Sequence, residues 1–406
     1  MIEPTGPTYL DLTGTPTSLP DPDAEATVRA NDRTHVFHSW SAQAAIDPMP
    51  VASGSGASFV DYSGRSYLDF GSQLVNLNLG HQHPDLLAAL HQQADRLATI
   101  QPGMANDVRG ELARLIVEVA GEPFSKVFFT NGGVDANEYA VRMARHTTGR
   151  HKVLSTYRSY HGGMGTPIGL TGDPRRWANE AAATGVVHFF GPYTYRSPFH
   201  STSEAEETTR ALQHLETVIA LEGPTTIAAI VLETIVGTNG VLMPPPGYLA
   251  GVRELCDRFG IVYIADEVMV GFGRTGDWFS YQGFGVQPDL ITFAKGVNSG
   301  YVPLGGVVIS DSIARFFDDR VFHGGLTYSG HPLACAVGVA TFEVFRRDGI
   351  LEHVRDLGER VLAPRLTEWL TTHPSVGDVR GRGLFWAVEL VADRETREPL
   401  VPFNPT

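Results

Sequence analysis

The chain has 406 residues, with 31 basic against 45 acidic side chains for a formal charge of −14, and 42% of its residues are hydrophobic. An acidic chain without a basic block offers no electrostatic footprint for nucleic acid or an anionic membrane, its two cysteines are too few for a disulfide scaffold, and no stretch approaches the roughly 18–20 apolar residues of a bilayer span. The opening MIEPTGPTYL lacks the charged and apolar regions of a signal peptide, so the expected setting is cytoplasmic, and the length suits two domains.

Residues 1–35 hold Pro4, Pro7, Pro16, Pro20 and Pro22 among Thr, Asp and Gly. That composition reads as an extended or mobile arm, because it cannot bury enough apolar area to offset ordering. From about residue 107 to 310, short apolar runs alternate with helix-period segments, the pattern of a mostly parallel α/β sheet covered by helices. The runs are Lys126–Thr130, Lys152–Ser155, Ile227–Leu232, Ile261–Ala265, Leu290–Ala294 and Leu304–Ile309. Between two of them, Tyr248, Leu249, Val252, Leu255, Cys256 and Phe259 form one helical face, and Gly260 stands where a terminating glycine belongs. After residue 330, Leu333–Phe345 reads as a helix, Leu351, Val354, Leu357, Val361 and Leu362 begin another apolar stripe, and Leu384–Val391 reads as a strand. These describe a smaller α+β domain, shared with residues 36–80.

Gly271-Phe272-Gly273-Arg274-Thr275-Gly276 matches G-x-G-x-x-G after a strand. A dinucleotide site also needs a helix opening at the last glycine. Asp277–Gly283 has no helical period, so the motif serves another purpose.

Three other features lie in the order of a pyridoxal phosphate site. Thr130–Glu138, with Gly132, Gly133 and Val134, joins a strand to a helix, and paired glycines at a helix start expose N–H groups suited to phosphate. The plainer reading is a strand–helix turn capped by Asn131. Asp266 follows the strand Ile261–Ala265, at the crevice edge where parallel sheets bind ligands, and a carboxylate there can keep a pyridine nitrogen protonated. Lys295 directly follows Leu290–Ala294 at the same kind of edge, where a desolvated amine can form a Schiff base.

Only three of the 31 basic residues are lysines, Lys126, Lys152 and Lys295. The first two sit at strand starts, the wrong edge, which leaves Lys295. Tyr160-His161-Gly162 could present an aromatic face to a ring, Glu233 closes another strand, and Thr327 precedes the late helix as a possible phosphate contact. His81 and His83 have no third ligand at sensible spacing, so no metal is expected.

Taken together, these residues resemble the class III aminotransferases, pyridoxal phosphate enzymes of fold type I, from about residue 36 to 400. Ile264–Val268 with Gly271–Gly276, Asp289–Gly296, Asn131–Glu138, Tyr160-His161-Gly162, Thr327–Pro332, Gly64–Phe70 and Gly80-His81 carry the resemblance. It implies an arm at 1–35, part of a small domain at 36–80, a large domain with a mostly parallel seven-stranded sheet at 81–325, and the rest of the small domain at 326–406. It also implies pyridoxal 5′-phosphate bound by Gly132, Gly133, Val134, Tyr160, His161, Glu233, Asp266, Val268 and Lys295. Val268 would face the ring opposite Tyr160, and Thr327 would reach the phosphate of a partner protomer in a homodimer.

His38-Ser39-Trp40 and Glu233–Gly240 look most like the group acting on taurine, β-alanine or simple amines with pyruvate, with Trp40 and Leu74 lining the substrate pocket. Family members normally continue past this end with a tail that completes the small sheet and carries a carboxylate-binding arginine. Neither Arg380 nor Arg382 matches it. The implied reaction is ping-pong transfer of an amino group to a 2-oxo acid. A mutase or decarboxylase on the same fold, or a truncated silent homologue, is the alternative.

Overall fold

The computed structural model describes residues 22–179 and 184–402, and the chain divides after Ala88 into two units. In the first, Pro22–His35 is an α-helix, which corrects the extended arm expected over 1–35 for its second part; residues 1–21 lie outside the described residues. Prolines dominate the composition only as far as Pro22, and the residues from Ala24 to Ala30 are mostly good helix formers. Glu25 and Arg29, one turn apart, pair at 3.2 Å. Strands β1 (Val51–Ser55), β2 (Ser58–Asp61) and β3 (Ser66–Leu68) then form an antiparallel sheet. His81 bonds Asp69 at 2.9 Å, and among the described residues no cluster suits a metal ion.

The second unit carries a seven-stranded sheet of β4 (Phe124–Thr130), β5 (Lys152–Thr156), β6 (Val186–Phe189), β7 (Ile227–Glu233), β8 (Val262–Asp266), β9 (Leu290–Phe293) and β10 (Gly305–Ser310). Its order is β4-β10-β9-β8-β7-β5-β6. Strand β10 runs antiparallel to both neighbours, and the rest are mutually parallel. Every residue of β7 and β8 is buried, as expected of strands covered on both faces. Ala136, Ala140, Val141 and Ala144 of the helix Gly133–Thr148 cover one face. Leu112, Leu215, Val252 and Phe342, from four other helices, cover the opposite face.

The six apolar runs match strands to within one residue at each end or lie inside them, and the helix Tyr248–Phe259 ends at Gly260 in the left-handed region as its pattern requires. Other strands carry no such signal. Edge strand β6 is short and interrupted by His188, whose ring stacks on Tyr157 and reaches the Leu170 carbonyl. Strand β11 (Val376–Arg382) pairs with β12 (Phe385–Asp393), and β13 (Glu398–Pro399) follows. Arg380 fits into that sheet by bonding both Asp378 and Glu389 at 2.7 Å. No helix crossing a membrane is possible among the described residues, since none is long and apolar enough.

The Gly271–Gly276 loop opens no helix; Ser280–Phe284 is a short 3-10 turn. Its glycines answer to packing. A Cβ on Gly273 (φ +84°) would lie 2.4 Å from Phe345, and one on Gly276 (φ +94°) would lie 2.4 Å from Arg355. Around them Phe272 meets Phe279, Phe293 and Phe342 edge-on, while Trp278 stacks on Phe342 at 4.6 Å. Gly273→Ala should therefore cost about 2–4 kcal/mol, from left-handed strain and overpacking together. Urea denaturation measures this, and a loss below about 0.5 kcal/mol, the level of a neutral surface change, would refute it.

Candidate active site

Because all strands except β10 are parallel, the C-terminal ends of β4, β5, β7, β8 and β9 open on one edge of the sheet. Asp266 closes β8 and is 3% exposed. Its Oδ2 accepts from Asn137 Nδ2 at 2.8 Å and from His161 Nδ1 at 2.7 Å, and its Oδ1 accepts from the Val268 amide at 3.0 Å. Each donor is itself fixed. Asn137 accepts from Thr292 at 2.8 Å and also donates to the His161 carbonyl at 2.8 Å, while the His161 amide donates to Thr171. Burial opposes a charge on His161, but the bond and charge of Asp266 outweigh it and raise the imidazole pKa. His161 Nε2 is buried without a partner.

Lys295 follows β9 at φ +48° and starts a short 3-10 turn. Its Nζ makes no hydrogen bond or ion pair among the described residues. Burial lowers its pKa; Asp266 and Glu233 counter this, and Arg274 and Arg175 reinforce it. The other lysines are elsewhere, as their strand positions imply. Lys126 is an exposed residue of β4, and Lys152 bonds Glu222 at 2.7 Å at the start of β5.

Gly132 precedes the helix Gly133–Thr148 in extended conformation and provides no side-chain cap, so Asn131 does not fill that role. A Cβ on Gly132 would meet nothing within 4 Å, whereas one on Gly133 would strike Val268 at 2.8 Å. The helix start is thus uncapped, open in front and bordered by Val268. Val134 packs under Gly162, where a Cβ would approach it to 2.5 Å.

Tyr160 donates its amide to Glu233 Oε1 at 2.9 Å, and Gly237 donates to Oε2 at 2.8 Å. Burial pushes the Glu233 carboxyl up to about 7 despite those donors. Glu267, fully buried, is also pushed up to about 7 by burial, against bonds from Thr234 at 2.5 Å, Ser280 at 2.7 Å and Tyr281 at 2.9 Å.

Thr327 is exposed, in a segment tied down by Tyr139 to Gly325 and by Ser329 to the Phe129 carbonyl. Trp40 and Leu74 belong to the first unit and are exposed at 68% and 65%. Sequence reasoning assigned nothing to Asn137, Glu267 or Arg175. For Asn137 the signal was present: a polar residue four positions after Gly133, among alanines of the sheet-facing side.

An uncapped helix start, a buried carboxylate with unused acceptor capacity and an unengaged amine stand on one sheet edge. They fit a ligand with a phosphate, a basic ring nitrogen and an aldehyde, which is the donor set of pyridoxal phosphate. The chain matches the family Aminotransferase class-III over residues 41–403. The taurine:2-oxoglutarate aminotransferase of Bifidobacterium kashiwanohense, solved with PLP and glutamate, superposes with a TM-score of 0.92 at 44% identity, covering 94% of this chain and 86% of that one. The taurine–pyruvate aminotransferase of Rhodobacter capsulatus is 35% identical over 402 residues, 94% of this chain and 86% of that protein. The putrescine–pyruvate aminotransferase of Pseudomonas aeruginosa is 36% identical over 363 residues, 86% and 78% of the two chains.

Fold and site define a pyridoxal phosphate transferase of fold type I. The chain belongs to the class III aminotransferases, and its cofactor is pyridoxal 5′-phosphate.

The two buried glutamates make stability depend on pH. An ordinary glutamate releases its proton near 4.5, and Glu233 and Glu267 keep theirs to about 7 in the folded chain. The folded state binds more protons between those values, so stability falls as pH rises from about 4.5 to about 7. Glu267→Gln removes one titration. Its urea midpoint should fall less steeply across that window than the parent's, and equal slopes would refute the assignment.

Proposed function

We propose that the protein transfers an amino group from an ω-amino acid or amine, such as taurine or β-alanine, to pyruvate or another 2-oxo acid in a ping-pong cycle. The observation that carries this reading is the unengaged, desolvated Lys295 amine beside the buried Asp266 carboxylate. The taurine and putrescine aminotransferases among its relatives support the choice of donor.

When bound, pyridoxal phosphate supplies an electron sink for the charge left by a departing proton. The chain's own groups do the rest. Lys295 Nζ would hold the aldehyde end until the substrate amine displaces it, and the freed amine would then carry the proton away from the substrate carbon. Asp266 would face the ring nitrogen, and Asn137 and His161 keep its carboxylate in place. The amides of Gly132, Gly133 and Val134 would seat the phosphate at the helix start, and Tyr160 and Val268 would flank the ring. Glu233 fixes the Tyr160 backbone. Thr327 of each protomer would complete the phosphate site of its homodimer partner.

With amine alone, about one equivalent of carbonyl product should form, and turnover should resume only when pyruvate is added. A mutase or decarboxylase would run on the single substrate. Lys295→Ala should lower alanine formation from β-alanine and pyruvate by about 10³-fold or more, the scale of lost proton transfer and covalent catalysis. It should also remove the visible absorbance gained on mixing with pyridoxal phosphate. Near-parent turnover by Lys295→Ala would sink the proposal.

A further inference from the structure

The chain after β7 turns back on itself between Val236 and Leu242, which exchange backbone hydrogen bonds at 3.2 and 2.9 Å. Gly237 donates its amide to Glu233, and its carbonyl accepts from Gly240 and Val241, both at 3.0 Å. This turn is strained. Val241 is buried at φ +51°, a left-handed conformation that a β-branched residue adopts only when its surroundings impose it.

The imposing group is Arg380, from strand β11 of the small sheet. Its Nε donates to the carbonyls of Gly240 and Val241 at 2.8 and 3.2 Å, and a Cβ on Gly240 (φ +122°) would come within 3.0 Å of its guanidinium. Its Nη1 is committed in the other direction, to Asp378 and to Glu389 of β12, both at 2.7 Å. Glu389 also accepts from Arg196 Nε at 2.6 Å and from the Tyr193 hydroxyl. Burial opposes a charge on Glu389, but these three donors outweigh it and hold its carboxyl below the ordinary glutamate range. The Tyr193 ring in turn meets two guanidinium groups, Arg380 at 5.3 Å and Arg158, two residues before Tyr160, at 5.4 Å. The neighbouring Arg382 leads elsewhere, to Asp277 and the Gly283 carbonyl.

We propose that Arg380 and Glu389 are positioning residues for the amine-transfer site: Glu389 aims the Arg380 guanidinium, which holds the 237–242 turn in its strained form and so keeps the Gly237 amide on Glu233, the carboxyl that anchors the Tyr160 backbone. Their bearing on catalysis rests on reading Lys295 and Glu233 as parts of that site. There, Glu233 is faced by His161 and Asp266, and Lys295 by Asp266, Glu233, Arg274 and Arg175. The Gly237 amide favours the ionised form of Glu233, and ionised Glu233 favours the charged amine at Lys295. Freeing the turn therefore leaves Glu233 more protonated and the lysine nitrogen easier to deprotonate.

The test uses Arg380→Gln, Glu389→Gln and, as a control on the same sheet, Arg382→Gln, each loaded with pyridoxal phosphate. Amide hydrogen exchange across residues 237–242, read by mass spectrometry, should be about tenfold faster in the first two variants, the scale of one lost charge-assisted bond. Arg382→Gln should leave that turn unchanged and loosen residues 277–283 instead. The visible band, whose absorbance follows the charge on the lysine nitrogen, should titrate about 0.5 pH unit lower in both Arg380→Gln and Glu389→Gln. Charge acting through space alone would move the two midpoints in opposite directions, because one substitution removes a cation and the other an anion. If a glutamine variant does not fold, Arg380→Lys or Glu389→Asp replaces it, with smaller shifts of the same sign.

Unchanged exchange across 237–242, equal loosening of both loops in every variant, or midpoints that stay put or diverge would overturn the assignment. A parent that turns over no amine would instead count against the proposed function, and the exchange measurement would still decide whether Arg380 and Glu389 hold the turn.

Discussion

A carboxylate buried at the end of a central strand sets the terms for the rest of this molecule. Removing an anion from water costs several kcal/mol unless donors replace the lost hydration. Asp266 obtains three: the amide of its own turn at Val268, a side chain from the helix Gly133–Thr148, and His161 from the segment after β5. Those donors are held in turn by Thr292 of β9 and by Thr171. One anion thus ties together four neighbouring segments. A slip of any of them would leave a buried polar group unpaired, at about 1–3 kcal/mol each. The same bonds leave Asp266 with spare acceptor capacity at the crevice edge.

Strand order then determines what surrounds that anion. Strands β7 and β9 flank β8, so Glu233 and Lys295 arrive on either side of Asp266 without any special loop. The balance at Lys295 follows from this placement. Burial drives its amine toward the neutral form, two carboxyls oppose, and two guanidinium groups assist. Glu233 is itself pushed up to about 7, which weakens its opposition near neutral pH. Its two oxygens are occupied by backbone amides, so it shapes the Tyr160 and Gly237 segments more than it attracts the lysine.

The strand ends were readable because apolar runs, glycines and a terminal charged residue fall in a fixed order along the chain. Position at a strand end already separates Lys295 from Lys152, and the sheet places them on opposite edges. What escaped the pattern was stabilised by pairing rather than by apolar periodicity. Strand β11 reads as polar because Arg380 enters the small sheet as a partner of Glu389. The helix at Pro22–His35 was hidden by averaging its composition with the proline-rich residues before it. Glu267 acquires meaning only through contacts distant in sequence, from Thr234, Ser280 and Tyr281.

The scarcity of lysine has a physical sense in this setting. Arginine holds its charge under all ordinary conditions and presents several donors in a rigid plane, so it can serve as a structural clamp. Arg150 donates from one nitrogen to the carbonyls of Pro224, Ile227, Phe259 and Gly260, and Arg109 joins Gly330 to Pro102 and Met104. Such groups cannot become nucleophiles at neutral pH. An amine can, and it would condense with any aldehyde ligand it met once desolvated. With 28 arginines, one exposed lysine on β4 and one lysine paired to Glu222, the chain keeps a single desolvated amine at the ligand edge of its sheet. Selectivity for that position then comes from where lysine is absent as much as from where it is present.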